Sequence, residues 1–150
     1  MSIKIYEGLK SEIYAPITPP SVFTIPKKEL KDMTIAIASA CGAHCKSDER
    51  FNIAGDFTWR KIPSDTPGTD LMITHGGYDN SDANKDINCM FPIDRIRELA
   101  KEGFIKAAAP FHVGFMGGGG VQEIFRDETG PSIAQALLDE GVDGVILTAG

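Results

Sequence analysis

From Met33 onward the chain alternates short apolar runs with amphipathic ones, and this alternation limits its fold more than any other feature. Thr34-Ile-Ala-Ile-Ala-Ser39 is an apolar run ended by Cys41-Gly42, the pattern of a buried strand. Phe57-Thr-Trp-Arg-Lys-Ile62 alternates apolar and polar residues before Pro63 and predicts a half-buried strand, and Leu71-Met-Ile-Thr74 predicts another. A helix is expected after Pro92, with Ile93, Ile96 and Leu99 on one face and Gly103 just past its end. Phe104-Ile-Lys-Ala-Ala-Ala109 reads as the next strand, although its alanines leave a helix open. A second helix is expected over 131–140, with Ile133, Ala134, Leu137 and Leu138 inward and Gly141 as cap. Gly144-Val-Ile-Leu-Thr148 ends the series as a strand rich in β-branched residues. This order implies right-handed crossovers. The expected fold is therefore an α/β domain over residues 32–150, with a mainly parallel open sheet and helices on both faces.

Residues 1–31 read differently. Pro16, Pro19, Pro20 and Pro26 interrupt every periodic stretch, while Ile13, Tyr14, Ile17, Val22 and Phe23 lie between them. Such a segment is too apolar for a free tail and is expected to pack, as a proline-rich arm, on the domain or on a partner chain. The 150 residues suffice for one buried core without metal or disulfide staples. A net charge of −6 with scattered basic residues argues against a nucleic-acid surface. No apolar run approaches the roughly 20 residues of a membrane span, and the start lacks the apolar core of a signal peptide. Three cysteines, an odd count, suit reduced thiols and a cytoplasmic location.

Several residues are candidates for chemistry. His44, His75 and His112 each come shortly after a strand candidate, so in one parallel sheet all three would wall a polar pocket at the same edge. Taken singly, each reads more often as a hydrogen-bonded structural histidine; their shared position behind strand ends raises the joint case for a pocket. Asp79 and Asn80 join this wall from the polar loop Thr74-His-Gly-Gly-Tyr-Asp-Asn-Ser-Asp82, which lacks the spacing of a calcium loop. Cys41-Gly-Ala-His-Cys45 offers Cys and His together, but a structural zinc site needs four ligands and the remaining thiol is Cys89, so no metal is expected. Gly117, Gly118, Gly119 and Gly120 precede a possible helix, where successive amides can converge on an anion; a plain tight turn fits as well. The run matches neither a dinucleotide fingerprint nor a Walker loop. The last strand ends at Thr148-Ala149-Gly150, and carboxyl ends of parallel strands carry the ligand site in open sheets, so Gly150 is expected at the rim of that site. An arbitrary fragment boundary would explain this terminus, and so would a UGA codon read as stop where selenocysteine belongs.

Two longer runs carry more information. Thr-His-Gly-Gly-Tyr-Asp-Asn (74–80) and Asn-Lys-Asp-Ile-Asn-Cys-Met-Phe-Pro-Ile-Asp-Arg (84–95) resemble the selenoprotein subunits of the glycine/sarcosine/betaine and D-proline reductase family. Gly114-Phe-Met-Gly-Gly-Gly-Gly120, Glu128-Thr-Gly-Pro131 and Gly141-Val-Asp-Gly-Val-Ile-Leu-Thr-Ala-Gly150 agree with it. Gly8-Leu-Lys-Ser-Glu-Ile-Tyr-Ala-Pro-Ile-Thr-Pro-Pro20 and Lys28-Glu-Leu-Lys-Asp-Met33 are more similar to its D-proline branch.

The resemblance implies a selenocysteine nucleophile immediately after Gly150, with a cysteine close behind it. The catalytic nucleophile then lies outside these 150 residues, and Cys41, Cys45 and Cys89 do not match the redox pair. It further implies a hetero-oligomer with a subunit bearing a pyruvoyl group, an electron-donor protein or dithiol, and a small amino-acid substrate, D-proline being opened to 5-aminovalerate. Component B of a glycine, sarcosine or betaine reductase is the alternative within the family. A non-catalytic α/β binding or assembly module is the alternative of another class.

Overall fold

The computed structural model describes residues 24–117 and 122–149. Its elements are β1 (Thr34–Ser39), β2 (Ala43–Cys45), β3 (Trp59–Pro63), β4 (Leu71–Ile73), α1 (Ile93–Lys101), β5 (Ala107–Ala108), β6 (Phe111–Phe115), α2 (Gln122–Ile124), α3 (Gly130–Asp139) and β7 (Gly144–Thr148). A π-helical segment, Phe125–Thr129, joins α2 to α3. In the main sheet β1 is central. It pairs in parallel with β7 over residues 35–39, and on its other side with β5 at its start and β6 at its end. β3 adds antiparallel to β6 at the far edge. The sheet is thus mainly parallel, as expected.

Alternation along β1 sorts the core into two layers. Ile35 and Ile37 pack in one cluster with Ile62, Phe91, Ile105 and the α1 residues Ile93 and Ile96. Ala36 and Ala38 pack in the other with Phe111, Val113 and Leu137 of α3. One helix therefore covers each face, and β1 is buried on both, which is why it reads as a continuous apolar run rather than an alternating one.

The remaining elements correct several expectations. The strand at Leu71 is present but lies outside the parallel sheet: β4 pairs antiparallel with β2 in a separate two-stranded sheet. β2 leaves the main sheet because Gly42 turns the chain with φ of +78°, a conformation suited to glycine. The strand then crosses over β6 at Gly114, where an added Cβ would stand 1.8 Å from the Ala43 carbonyl oxygen. The strand expected over 104–109 shrinks to Ala107–Ala108, and after Pro110 the chain resumes as β6, which the sequence reading missed. Of the arm, residues 1–23 lie outside the described residues. Residues 24–31 are exposed, and Lys28 Nζ reaches Asp143 Oδ1 at 2.6 Å beside the start of β7. Among the described residues no helix is long and apolar enough to cross a membrane.

Pro110 leaves a gap in the ladder beside β1, and His112 fills it. The Pro110 carbonyl accepts from Ser64 N–H at 2.9 Å. The Ile37 N–H donates instead to His112 Nδ1 at 3.1 Å. Nδ1 is therefore unprotonated, and the ring proton sits on Nε2, facing Ser64 Oγ at 3.3 Å. Burial, assisted by the charge of Arg97, pushes the His112 pKa down to about 4. In the unfolded chain the same group titrates near its ordinary 6.5.

Two predictions follow from this geometry. Gly114→Ala forces either β2 or β6 to shift and should destabilise the domain by about 3 kcal/mol or more, measured by urea unfolding. His112 binds fewer protons folded than unfolded between pH 6.5 and about 4. Its contribution is complete above pH 6.5 and is lost as pH falls toward 4, amounting to about 3 kcal/mol. Unfolding free energies across that window should fall steeply for the parent chain and less so for His112→Asn, whose amide oxygen can still accept from Ile37. Parallel slopes for the two proteins would exclude His112 as the source.

Candidate active site

The carboxyl ends of β1 and β7 lie side by side, with Ser39 in register with Thr148. Ala40 N–H donates to Thr148 O at 3.0 Å, continuing the ladder one step beyond β1. Both terminal hydroxyls converge on one acceptor, the Met90 carbonyl oxygen: Thr148 Oγ1 at 2.8 Å and Ser39 Oγ at 3.4 Å. Ser39 Oγ also accepts from Cys41 N–H at 3.2 Å, and the Cys41 carbonyl accepts from the Tyr78 hydroxyl at 2.7 Å. Tyr78 in turn stacks on His75, with ring centroids 4.6 Å apart. A continuous set of contacts therefore joins the strand ends to the 74–80 loop and to the turn Ile87–Cys89.

Of the three histidines, this arrangement retains one. His75 follows β4, yet Thr74 N–H donates to Gly42 O at 3.0 Å and brings the residue to the carboxyl end of β1. His75 Nδ1 accepts from Gly77 N–H at 2.9 Å, which places the ring proton on Nε2. Partial burial lowers its pKa, so the ring is neutral near pH 7 and offers an N–H donor. Nε2 has no hydrogen-bond partner among the described residues.

The other two histidines are structural. His44 lies within β2, fully buried. Its Nδ1 donates to Cys45 O at 2.7 Å and its Nε2 accepts from Thr74 Oγ1 at 2.9 Å, so both nitrogens are engaged. Burial also lowers its pKa. His112 is the ladder-filling ring inside β6. The expectation that all three follow strands of one parallel sheet fails because β2 and β4 form their own sheet and because His112 sits within a strand.

Asp79 is exposed and accepts from Ser81 N–H at 3.0 Å, a contact that lowers its pKa. Asn80 Nδ2 donates to His75 O at 3.4 Å and Asn80 Oδ1 accepts from Asn84. Asn84 then exchanges two hydrogen bonds with the Ile73 backbone, at 2.7 and 3.2 Å, extending the edge of β4. The polar loop largely holds its own shape. Gly117 spends its N–H on Ala40 O at 3.1 Å, so that amide does not serve an anion. Gly118, Gly119, Gly120 and Gly150 lie outside the described residues.

The thiols divide by exposure. Cys41 is buried and Cys45 half-buried, and burial raises both pKa values, keeping these groups protonated. Cys89 is exposed in the turn beside Met90. Burial, then the neighbouring Cys41 and Cys89, pushes the Tyr78 hydroxyl up to about 12, so it stays a donor. Among the described residues no group of three or more His, Cys, Asp or Glu side chains converges to hold a metal. Sequence reasoning missed Ser39, Tyr78, Thr148 and the Met90 carbonyl. Of these, Tyr78, Met90 and Thr148 lay in the runs that carry the family resemblance, and the phenol of Tyr78 was a usable signal.

Comparisons with known proteins bear on the chain as a whole. The family model described as glycine/sarcosine/betaine reductase selenoprotein B (GRDB) matches residues 19–150. D-proline reductase subunit gamma of Acetoanaerobium sticklandii is 64% identical over 148 residues, covering 99% of this chain and 61% of the relative. Glycine reductase complex component B subunit gamma of Carboxydothermus hydrogenoformans is 31% identical, covering 81% of this chain and 29% of the relative. Sarcosine reductase complex component B subunit beta of Peptoclostridium acidaminophilum is 32% identical, covering 83% and 30%. The chain thus spans under two thirds of the first relative and under a third of the other two. No solved structure shows a significant match. On the family match and the 64% identity, this chain belongs to the glycine/sarcosine/betaine reductase selenoprotein B family.

Proposed function

We propose that the chain is the amino-terminal part of the selenoprotein subunit of a cytoplasmic D-proline reductase, which opens the ring at the Cα–N bond to give 5-aminovalerate. One observation carries this reading: identity is 64% to a D-proline reductase subunit against 31% and 32% to glycine and sarcosine reductase components. The family resemblance supplies the reactive groups, a selenocysteine following Gly150 as nucleophile toward Cα and a pyruvoyl carbonyl on a partner subunit that draws electrons from the same carbon. Overall the substrate gains two electrons and two protons, and a dithiol is oxidised to a disulfide.

The chain's own residues suit a rim for this chemistry. Carboxyl ends of parallel strands are the common ligand edge of open α/β sheets, and β1 and β7 end together there. At that edge His75 presents its Nε2–H, a donor fit for the substrate carboxylate. Cys41 and Cys45, with pKa values raised by burial, are poor nucleophiles.

The nucleotide sequence downstream of the Gly150 codon is the first check, with an in-frame TGA and a nearby cysteine codon expected. The second is turnover. The subunit read through that codon, combined with the pyruvoyl-bearing partner and dithiothreitol, should form 5-aminovalerate from D-proline. It should discriminate against glycine, sarcosine and betaine by about 100-fold or more. A cysteine in place of the selenocysteine should be slower, because a thiol with a pKa of about 8.5 is mostly protonated near pH 7. Preferred turnover of glycine, sarcosine or betaine would overturn the substrate assignment.

A further inference from the structure

We propose that Thr148 is a positioning residue: its hydroxyl, held by the Met90 carbonyl, sets where the nucleophile following Gly150 stands. The inference rests on the preceding reading of that nucleophile and adds a residue to it. β7 reads Gly-Val-Ile-Leu-Thr, and its partner β1 is bonded to it through the backbone alone. A threonine hydroxyl contributes nothing to that ladder. Valine has the same shape and matches the apolar character of the strand, so it is the hydroxyl that needs an explanation.

The hydroxyl's partner belongs to a fixed frame. Asp86 caps the Ile87–Cys89 turn through Asn88 N–H at 3.0 Å. Asn88 is locked to the start of α1, donating to Asp94 Oδ2 at 2.8 Å and accepting from Asp94 N–H at 2.9 Å. Arg97 Nη1 holds the same carboxylate at 2.6 Å. Phe91, next to Met90, is fully buried. The Met90 carbonyl is therefore a rigid reference point, whereas β7 pairs only with β1 among the described residues and Leu147 is 77% exposed. Apart from its ladder with β1, which runs to Thr148 and on to Ala40, the carboxyl end of β7 is tied to the body of the domain by the Thr148 hydrogen bond.

Distance makes this matter. A residue three positions beyond Thr148 stays within about 10 Å of it, so any swing of the strand end is passed on to the nucleophile. Misplacing a reacting group by about 1 Å can cost about 100-fold in rate.

The test uses the complete subunit, selenocysteine included, assembled with its pyruvoyl-bearing partner, in parent, Thr148→Val and Thr148→Ser forms. In Thr148→Val, kcat for D-proline should fall about 10- to 100-fold while KM changes less than about twofold. Thr148→Ser, which keeps the hydroxyl, should stay within about threefold of the parent. A kcat for Thr148→Val within about twofold of the parent overturns the proposal, as does a Thr148→Ser enzyme as slow as Thr148→Val. If the parent complex forms no 5-aminovalerate, the D-proline reading fails separately. The rate of iodoacetamide alkylation at the residue after Gly150 then decides. Thr148→Val alone should alter it by about threefold or more, since thiol and selenol reactivity follow the local environment, and equal rates in all three forms overturn the positioning role.

Discussion

Everything in this domain is referred to β1. It is bonded on both edges, to β7 along one and to β5 and β6 along the other, and it is buried on both faces. A strand in that position has no solvent in which to satisfy a stray amide. Where Pro110 breaks the neighbouring strand, the orphaned Ile37 N–H must find an acceptor inside the core, and a side chain supplies it. The ring that does so must stay neutral, must present Nδ1 without a proton, and must face Ser64 on its other side. One proline thus creates the need for an acceptor that sets the tautomer and titration of a histidine two residues later.

The same strand explains which parts of the fold were legible. β1, β7 and α1 were readable because their signals are local: continuous apolar runs in the strands, and in the helix an apolar face after a proline. β2 was not, because three residues, Ala-His-Cys, carry no period. It exists because Gly42 turns the chain and Gly114 leaves room, and that pairing of distant glycines is a property of the packed molecule. β6 was hidden by Pro110, which normally argues against an inner strand. The antiparallel direction of β3 has no local signature either, since alternation reports burial and not the orientation of a partner.

Legibility of the site follows a related division. His44, His75 and His112 are indistinguishable by their spacing from strand candidates, yet two are sealed in the core with both ring nitrogens engaged and one is not. Burial separates them, and burial depends on which strands pair. The 74–80 loop, expected as part of the pocket wall, also fixes its own shape, because Asn and Asp bond their own backbone nearby. The meeting of Ser39 and Thr148 on a main-chain oxygen was invisible, since every residue has a carbonyl and no residue type marks the one that will be used.

The two edges of the main sheet are built to different rules. β3 carries Arg60 and Lys61 and ends in Pro63, the residues with which proteins blunt an edge against further pairing. β7 carries no charge and no proline, and Val145, Ile146 and Leu147 stand partly open on it. Among the described residues, then, β3 guards its edge of the sheet against a further strand and β7 carries none of those guards.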